Sequence, residues 1–237
     1  MRGWWWKIPT AVLGLLAVIG AYTHAGPAMG FSASGEERGD LSRIIFFHVP
    51  YAWVATIGFV VAMIHSVNYL RTRKLDCDLR ANAAVQLGTA YCLVATISGS
   101  VFAKYMWGSA WNWDPRETSI FILLTIYVAY MALRATVEEP VRRARLAAVY
   151  AIVASVTVPF LVFVVPRVYI SLHPDPIINP RMQLNLDNDY RIVLFGMILA
   201  TSGLFAWMMD VAVRIQRLAE HRADRADDAL FANGELA

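Results

Sequence analysis

Five stretches of this chain contain no Asp, Glu, Lys or Arg, and their lengths dictate what it can fold into. They comprise the 27 residues between Arg43 and Arg71, 23 between Arg80 and Lys104, 16 between Glu117 and Arg134, 21 between Arg145 and Arg167, and 18 between Arg191 and Asp210. Each is near the ~20 residues that cross ~30 Å of hydrocarbon as a helix. Ile8 to Tyr22, behind the Trp4-Trp5-Trp6 run, makes a sixth. Backbone polar groups in lipid must be satisfied within the segment, which favours helices. The expected fold is therefore all-α, a polytopic membrane protein with six transmembrane helices. Composition agrees: 58% of the 237 residues are hydrophobic and 16% charged, where soluble domains carry about 25% charge.

Other classes fall at the same step. The net charge of +3 is divided among loops, so there is no basic stripe for nucleic acid. No GxxxxGK[ST] occurs, which excludes a P-loop. There is no CxxCH, so the chain is not itself a covalent c-type cytochrome, and Cys77 in a charged loop does not pair with Cys92 inside a span.

Six spans leave both termini on one side. Arg2, Lys7, the 71–80 and 134–145 loops and the tail from Arg214 hold 14 basic residues; the other face, with Arg38, Arg43, Lys104, Arg116, Arg167, Arg181 and Arg191, holds 7. The richer side is expected to be cytoplasmic. Loops 24–43, 104–117 and 167–191 then face outward, residues 1–213 form one six-span domain, and 214–237 form a cytoplasmic tail, either a solvated helix or disordered. Thr23-His24-Ala25 ends the first apolar run in small residues, as a cleaved signal would. The tryptophans before it suit an interfacial belt better, and cleavage would leave the other five spans in the same orientation.

The unusual residues gather in the outer loops. The middle one reads Lys104-Tyr105-Met106-Trp107-Gly108-Ser109-Ala110-Trp111-Asn112-Trp113-Asp114-Pro115-Arg116-Glu117-Thr118. Three tryptophans at a membrane surface suit a headgroup belt. They also make a flat amphipathic platform for a planar aromatic ligand, where offset stacking contributes about 1 kcal/mol per ring pair. Asp114 as N-cap, Pro115 at the first helical position and Glu117 three residues beyond the cap make a capping-box-like start to the fourth span.

A flat macrocycle needs a metal partner, which turns attention to histidine. His48 lies in Phe46-Phe47-His48-Val49-Pro50, just before a second span expected over Val49 to Leu70; His173 lies in Ser171-Leu172-His173-Pro174, just beyond the fifth. Two imidazoles at one depth, from two helix ends, suit an iron approached from both faces. Either alone reads equally as a structural residue. His65 is 17 residues inward from His48, ~25 Å along a helix, and does not share that metal. His24 and His221 carry no assigned role. Haem propionates pair best with Arg, and Arg116, Arg167 and Arg43 all sit on the outer side, where each serves equally as a membrane-edge anchor.

Trp107-Gly108-x-x-Trp111-x-Trp113-Asp114-x-Arg116-Glu117-Thr118, flanked by one outer histidine on each side, resembles the tryptophan-rich "WWD" signature of the haem-handling proteins of cytochrome c biogenesis. Within that superfamily the six spans, the Arg43–Pro50 run and Ser171-Leu172-His173-Pro174 are similar to the haem exporter protein C (CcmC) family, over about residues 8–213. The resemblance implies that His48 and His173 are axial ligands of a non-covalent haem b. It implies that Trp107, Trp111, Trp113 and Asp114 belong to the loop that holds the macrocycle. It further implies an inner-membrane protein presenting haem on the periplasmic face to the haem chaperone CcmE, beside the small protein CcmD and the ATP-binding-cassette pair CcmA and CcmB. The absence of a nucleotide motif fits energy supplied by a partner.

The Trp113–Thr118 hexad is also close to the form in the CcsA-type subunit of the two-component cytochrome c synthase. That family adds spans and a second histidine pair within the membrane, and here only His65 is available for it. A b-type electron-transfer cytochrome would bury its histidines in facing helices rather than at the membrane edge. A small-molecule transporter would place ionisable groups at mid-membrane, and these spans hold almost none; Pro159 and Pro166 in span five read as a kink. The expectation is a haem-delivery protein rather than an enzyme, with Arg116 or Arg167 toward the propionates.

Overall fold

The computed structural model describes residues 4–25, 36–173 and 186–232. Arg2, the middle of the first outer loop (26–35), Pro174 and Arg181 with the rest of 174–185, and the tail end 233–237 lie outside the described residues. Every regular element described is helical. In chain order these are α1 (Trp4–Thr23), a 3-10 helix (Glu36–Ile44), α2 (Ile45–Thr72), α3 (Leu75–Trp107), α4 (Pro115–Thr136), α5 (Pro140–Pro159), a π-helical stretch (Phe160–Val164), α6 (Val165–Val168) and α7 (Asn188–Ala232). Six helical segments are long and apolar enough to cross a membrane, as the uncharged stretches require. α5, the π stretch and α6 together make the fifth.

Local chemistry sets most boundaries. α2 stops where Arg73 turns left-handed (φ 59°) and returns its N–H to the Tyr69 carbonyl at 2.7 Å. α3 stops at Gly108 (φ 82°), whose N–H reaches the Lys104 carbonyl; glycine suits this left-handed cap because it lacks a Cβ. Glu139 caps α5 by accepting from the N–H groups of Val141 and Arg142. One boundary differs from the sequence expectation. α2 begins at Ile45 rather than Val49, because the 3-10 turns of residues 36–44 run straight into it and Ile44 is already helical. His48 is therefore within the helix, in its first turn, and Pro50 lies a turn further in than a helix-starting proline would. Where Pro159 and Pro166 suggested a kink, span five contains a π-helical stretch between the two prolines, whose missing N–H donors interrupt the i→i−4 ladder.

The packing is inverted relative to a soluble protein. α5 buries Ala144, Ala147, Ala148, Ala151 and Ala154 while Val153 and Val156 are 65% and 71% exposed. Lipid tails are as apolar as leucine, so helices associate through small residues that let backbones approach. Gly58 and Gly88 bring α2 and α3 together so closely that a Cβ on Gly58 would sit 3.0 Å from the Gly88 Cα. Gly14, Gly196 and Gly203 do the same between α1 and α7. Phe59 stacks on Tyr127 at 3.7 Å in the centre. α2 is the hub, packed against α3, α5 and α7, with α1 outside α7 and α4 outside α3 and α5.

Charged pairs close one end of the bundle. Arg134 grips Asp78 with two bonds of 2.6 and 2.9 Å, joining α4 to α3, and Lys7 meets Asp210 at 3.3 Å, joining α1 to α7. The start of α1, the α2–α3 turn, the α4–α5 turn and the later part of α7 therefore share this end. His48 and His173 share the other. α7 continues unbroken past Arg214 to Ala232, so the first part of the expected tail is helix.

Candidate functional site

His48 projects from the first turn of α2 onto α3, where residues 98–100 read Ser-Gly-Ser. Gly99 makes room for it: a Cβ there would lie 2.9 Å from the imidazole Cε1. The His48 Nδ1 is 3.2 Å from the Ser98 hydroxyl, which itself donates to the Ala95 carbonyl at 3.0 Å. With its proton committed to Ala95, Ser98 offers His48 a lone pair. Nδ1 is then the protonated nitrogen and Nε2 keeps the lone pair that a metal requires.

His173 follows α6 on a non-helical segment, and its ring centroid is 6.3 Å from that of His48, with 40° between planes. Its Nδ1 is buried without a hydrogen-bond partner among the described residues. Burial pushes its pKa down to about 4, helped by the Arg116 and His48 charges and opposed by Asp114. His173 is therefore neutral near pH 7, with a lone pair available. The two rings come from residues 125 positions apart (173 minus 48), and both open on one cleft of about 190 Å³. Trp111, Arg116, Glu117, Leu161, Val162 and Pro166 line the rest of it beside α3. That volume is below the ~300 Å³ of a pocket that encloses a whole small molecule. It suits the insertion of one edge of a larger flat ligand.

The tryptophan loop is tied by two carboxylates. The Glu117 carboxylate accepts from the N–H groups of Asn112 (2.7 Å) and Asp114 (3.3 Å), on either side of Trp113. Held from both sides, Trp113 adopts a left-handed backbone (φ 55°), uncommon for a bulky residue and a form of strain associated with functional loops. Asp114 is buried, accepts from Arg116 N–H to complete the expected capping box, and then reaches further. Its carboxylate also accepts from the Ser171 hydroxyl at 2.9 Å and the Leu172 N–H at 2.7 Å. One side chain thus joins the start of α4 to the segment carrying His173.

The eight residues singled out from sequence divide into three sets. His48, His173, Trp111 and Arg116 line the cleft, and Trp107 stands beside it with its ring 5.6 Å from His173. Asp114 is behind it as a tie. Trp113 is turned outward, 67% exposed and edge-on to Trp111 and Phe121. Arg167 points away, with its guanidinium on the Phe163 carbonyl and ring. Arg43, an alternative anion partner, is engaged by Asp40 and the Ala21 and Ala25 carbonyls. Sequence reasoning missed Ser98 and Gly99, and it read Ser171 only as part of the run around His173, with no role of its own. The Ser-Gly-Ser run inside an uncharged span was the available signal for the first two.

Fold and site together define a polytopic membrane protein that presents two imidazoles and a braced aromatic loop at one end of a helical bundle. The model of the family described as "Heme exporter protein C" (CcmC) matches residues 3–227. The "Heme exporter protein C" of Bradyrhizobium diazoefficiens is 33% identical over 200 residues, 84% of this chain and 74% of that protein. The protein of the same name from Escherichia coli K12 is 28% identical over 204 residues, 84% and 80% of the two chains. The chain belongs to the haem exporter protein C family.

Proposed function

We propose that this protein binds haem b at the periplasmic face of the inner membrane and delivers it to the haem chaperone CcmE during c-type cytochrome maturation. CcmD and the CcmA–CcmB pair are its partners in this reading. The observation that carries it is the meeting of His48 and His173. With a metal–nitrogen distance of ~2 Å and a ring centroid about 1 Å beyond each nitrogen, two imidazoles on one iron stand roughly 6 Å apart. The rings here are 6.3 Å apart, and one buried ring nitrogen lacks a hydrogen-bond partner among the described residues.

Each residue then has a distinct task. His48 would offer Nε2 from its helix and His173 a nitrogen of its own ring, so that these two imidazoles would hold the haem iron. Trp111 inside the cleft and Trp107 beside His173 would flank the macrocycle, and Trp113 would extend the aromatic surface outward. Arg116 lies near enough to both imidazoles to meet a propionate, which favours it over Arg167. The cleft lies at the bundle end opposite the charged pairs and the start of α1. That end is periplasmic if the arginine-rich end is cytoplasmic, as the 14-to-7 distribution of basic residues implies. Residues 214–237 then form the cytoplasmic tail. A partner takes the cargo by competing for the ring or for one ligand.

The test is the absorption spectrum of the detergent-purified protein beside His48→Ala and His173→Ala. The expected wild-type spectrum is six-coordinate low-spin, turned high-spin or lost in each variant. Haem bound by the wild type with neither substitution altering its spectrum would place the site elsewhere.

A further inference from the structure

The two histidines are held very unequally. His48 sits on a helix, its ring pressed against Gly99 with Nδ1 fixed by Ser98. Among the described residues the His173 ring has no hydrogen bond at Nδ1, and its ring neighbours are Trp107 and His48. Its position depends on the backbone before it, which Asp114 holds through Ser171 and Leu172; the Ser171 hydroxyl in turn accepts from the His173 N–H at 3.1 Å. The chain leaves α6 at Val168, and Tyr169 is already extended with the Ile170 side chain fully exposed. Asp114 and Ser171 are the side chains that tie residues 169–173 to the bundle in the described structure.

From this geometry we infer that Asp114 is the positioning residue for His173, a latch whose opening frees that ligand first while His48 keeps its hold. The inference rests on the two-histidine reading above. It gives the carboxylate of the tryptophan loop a task beyond capping α4. Any partner that pulls on the loop at Trp113 pulls on Asp114 in the next position, and so on the segment that carries His173. Ligand exchange at one side of the iron would then follow from contact at the loop, without disturbing α2 or α3.

Asp114→Asn isolates the latch from the cap. Asparagine caps helices about as well as aspartate, so its oxygen continues to serve Arg116 N–H. Its amide group, however, brings a donor against the Leu172 N–H. Ser171→Ala, which leaves α4 untouched, is the second variant. The full-length protein in detergent is loaded with ferric haem, and two quantities are read: the high-spin fraction and the rate of haem loss to apomyoglobin. Losses of support around a metal-binding histidine typically weaken the site 10- to 100-fold. Both variants are expected to gain a high-spin fraction that free imidazole restores to low-spin, and Asp114→Asn to lose haem about 10-fold faster. Combined with His173→Gly, Asp114→Asn should add less than twofold; combined with His48→Gly, it should retain its full effect. Wild-type spectra and loss rates in both variants would overturn the latch, as would an undiminished Asp114→Asn effect in the His173→Gly background. If His173→Gly alone left the spectrum unchanged, the ligand assignment itself would fail and the latch with it.

Discussion

At the scale of single residues, the site depends on what is missing from Gly99 as much as on what His48 supplies. A methyl group at position 99 would meet the imidazole carbon at 2.9 Å and Nδ1 at 3.4 Å, and that ring cannot retreat without leaving Ser98. Gly99→Ala is therefore expected to weaken haem binding at least ~10-fold, on the scale of lost histidine support, and to raise the high-spin fraction. Alanine is about 1 kcal/mol better than glycine within a helix, so thermal stability of the apoprotein should hold or rise. Haem titration beside a melting curve separates the two effects. A variant with wild-type affinity and a low-spin spectrum would show that His48 does not use this surface. The histidines and Trp111 were legible in sequence because imidazole and indole are rare and chemically specific. Gly99 and Ser98 were not, since glycine and serine inside a membrane span read first as helix-packing residues. Only the crossing of α2 over α3 shows which one faces the ring.

At the scale of elements, termini that carry their own chemistry were readable and those that borrow it were not. The start of α4 was visible in Asp114-Pro115-x-Glu117, because both halves of a capping box lie in one short segment. The second half of Asp114's work, its bonds to Ser171 and Leu172, joins residues 57 and 58 positions away, and no local pattern announces it. The start of α2 was misplaced by four residues for a related reason: the preceding 3-10 turns need no capping residue to pass into an α-helix. Helices are also tied at the opposite end, where Asp78 and Arg134 form a two-bond pair with side chains 7% and 11% exposed. Removing one member of such a buried pair strands the other's charge, at a cost of about 3–5 kcal/mol. Asp78→Asn is expected to lower the unfolding midpoint in detergent by roughly 10 °C. The double variant Asp78→Asn, Arg134→Met should recover much of that loss. A single variant as stable as wild type would mean the pair is fully solvated in the detergent-bound protein.

At the scale of the whole molecule, the spans were legible because lipid imposes a length and forbids charge, and both constraints are written directly in the sequence. Which end of the bundle faces which compartment follows from a different physical effect, the retention of Lys and Arg on the cytoplasmic side. The structure sharpens that expectation into a test, because the two free cysteines differ in access. Cys92 is buried in the core, while Cys77, in the first turn of α3, is partly exposed at the end of the bundle opposite His48. A membrane-impermeant maleimide added to intact spheroplasts should leave Cys77 unlabelled, and should label it once the membrane is permeabilised. In a Cys77→Ser background, Ser109→Cys in the tryptophan loop should show the reverse, reacting in intact spheroplasts. Labelling of Cys77 from outside would invert the bundle. It would place His48 and His173 on the cytoplasmic side and remove the basis for delivery to a periplasmic chaperone, even with both ligands correctly assigned.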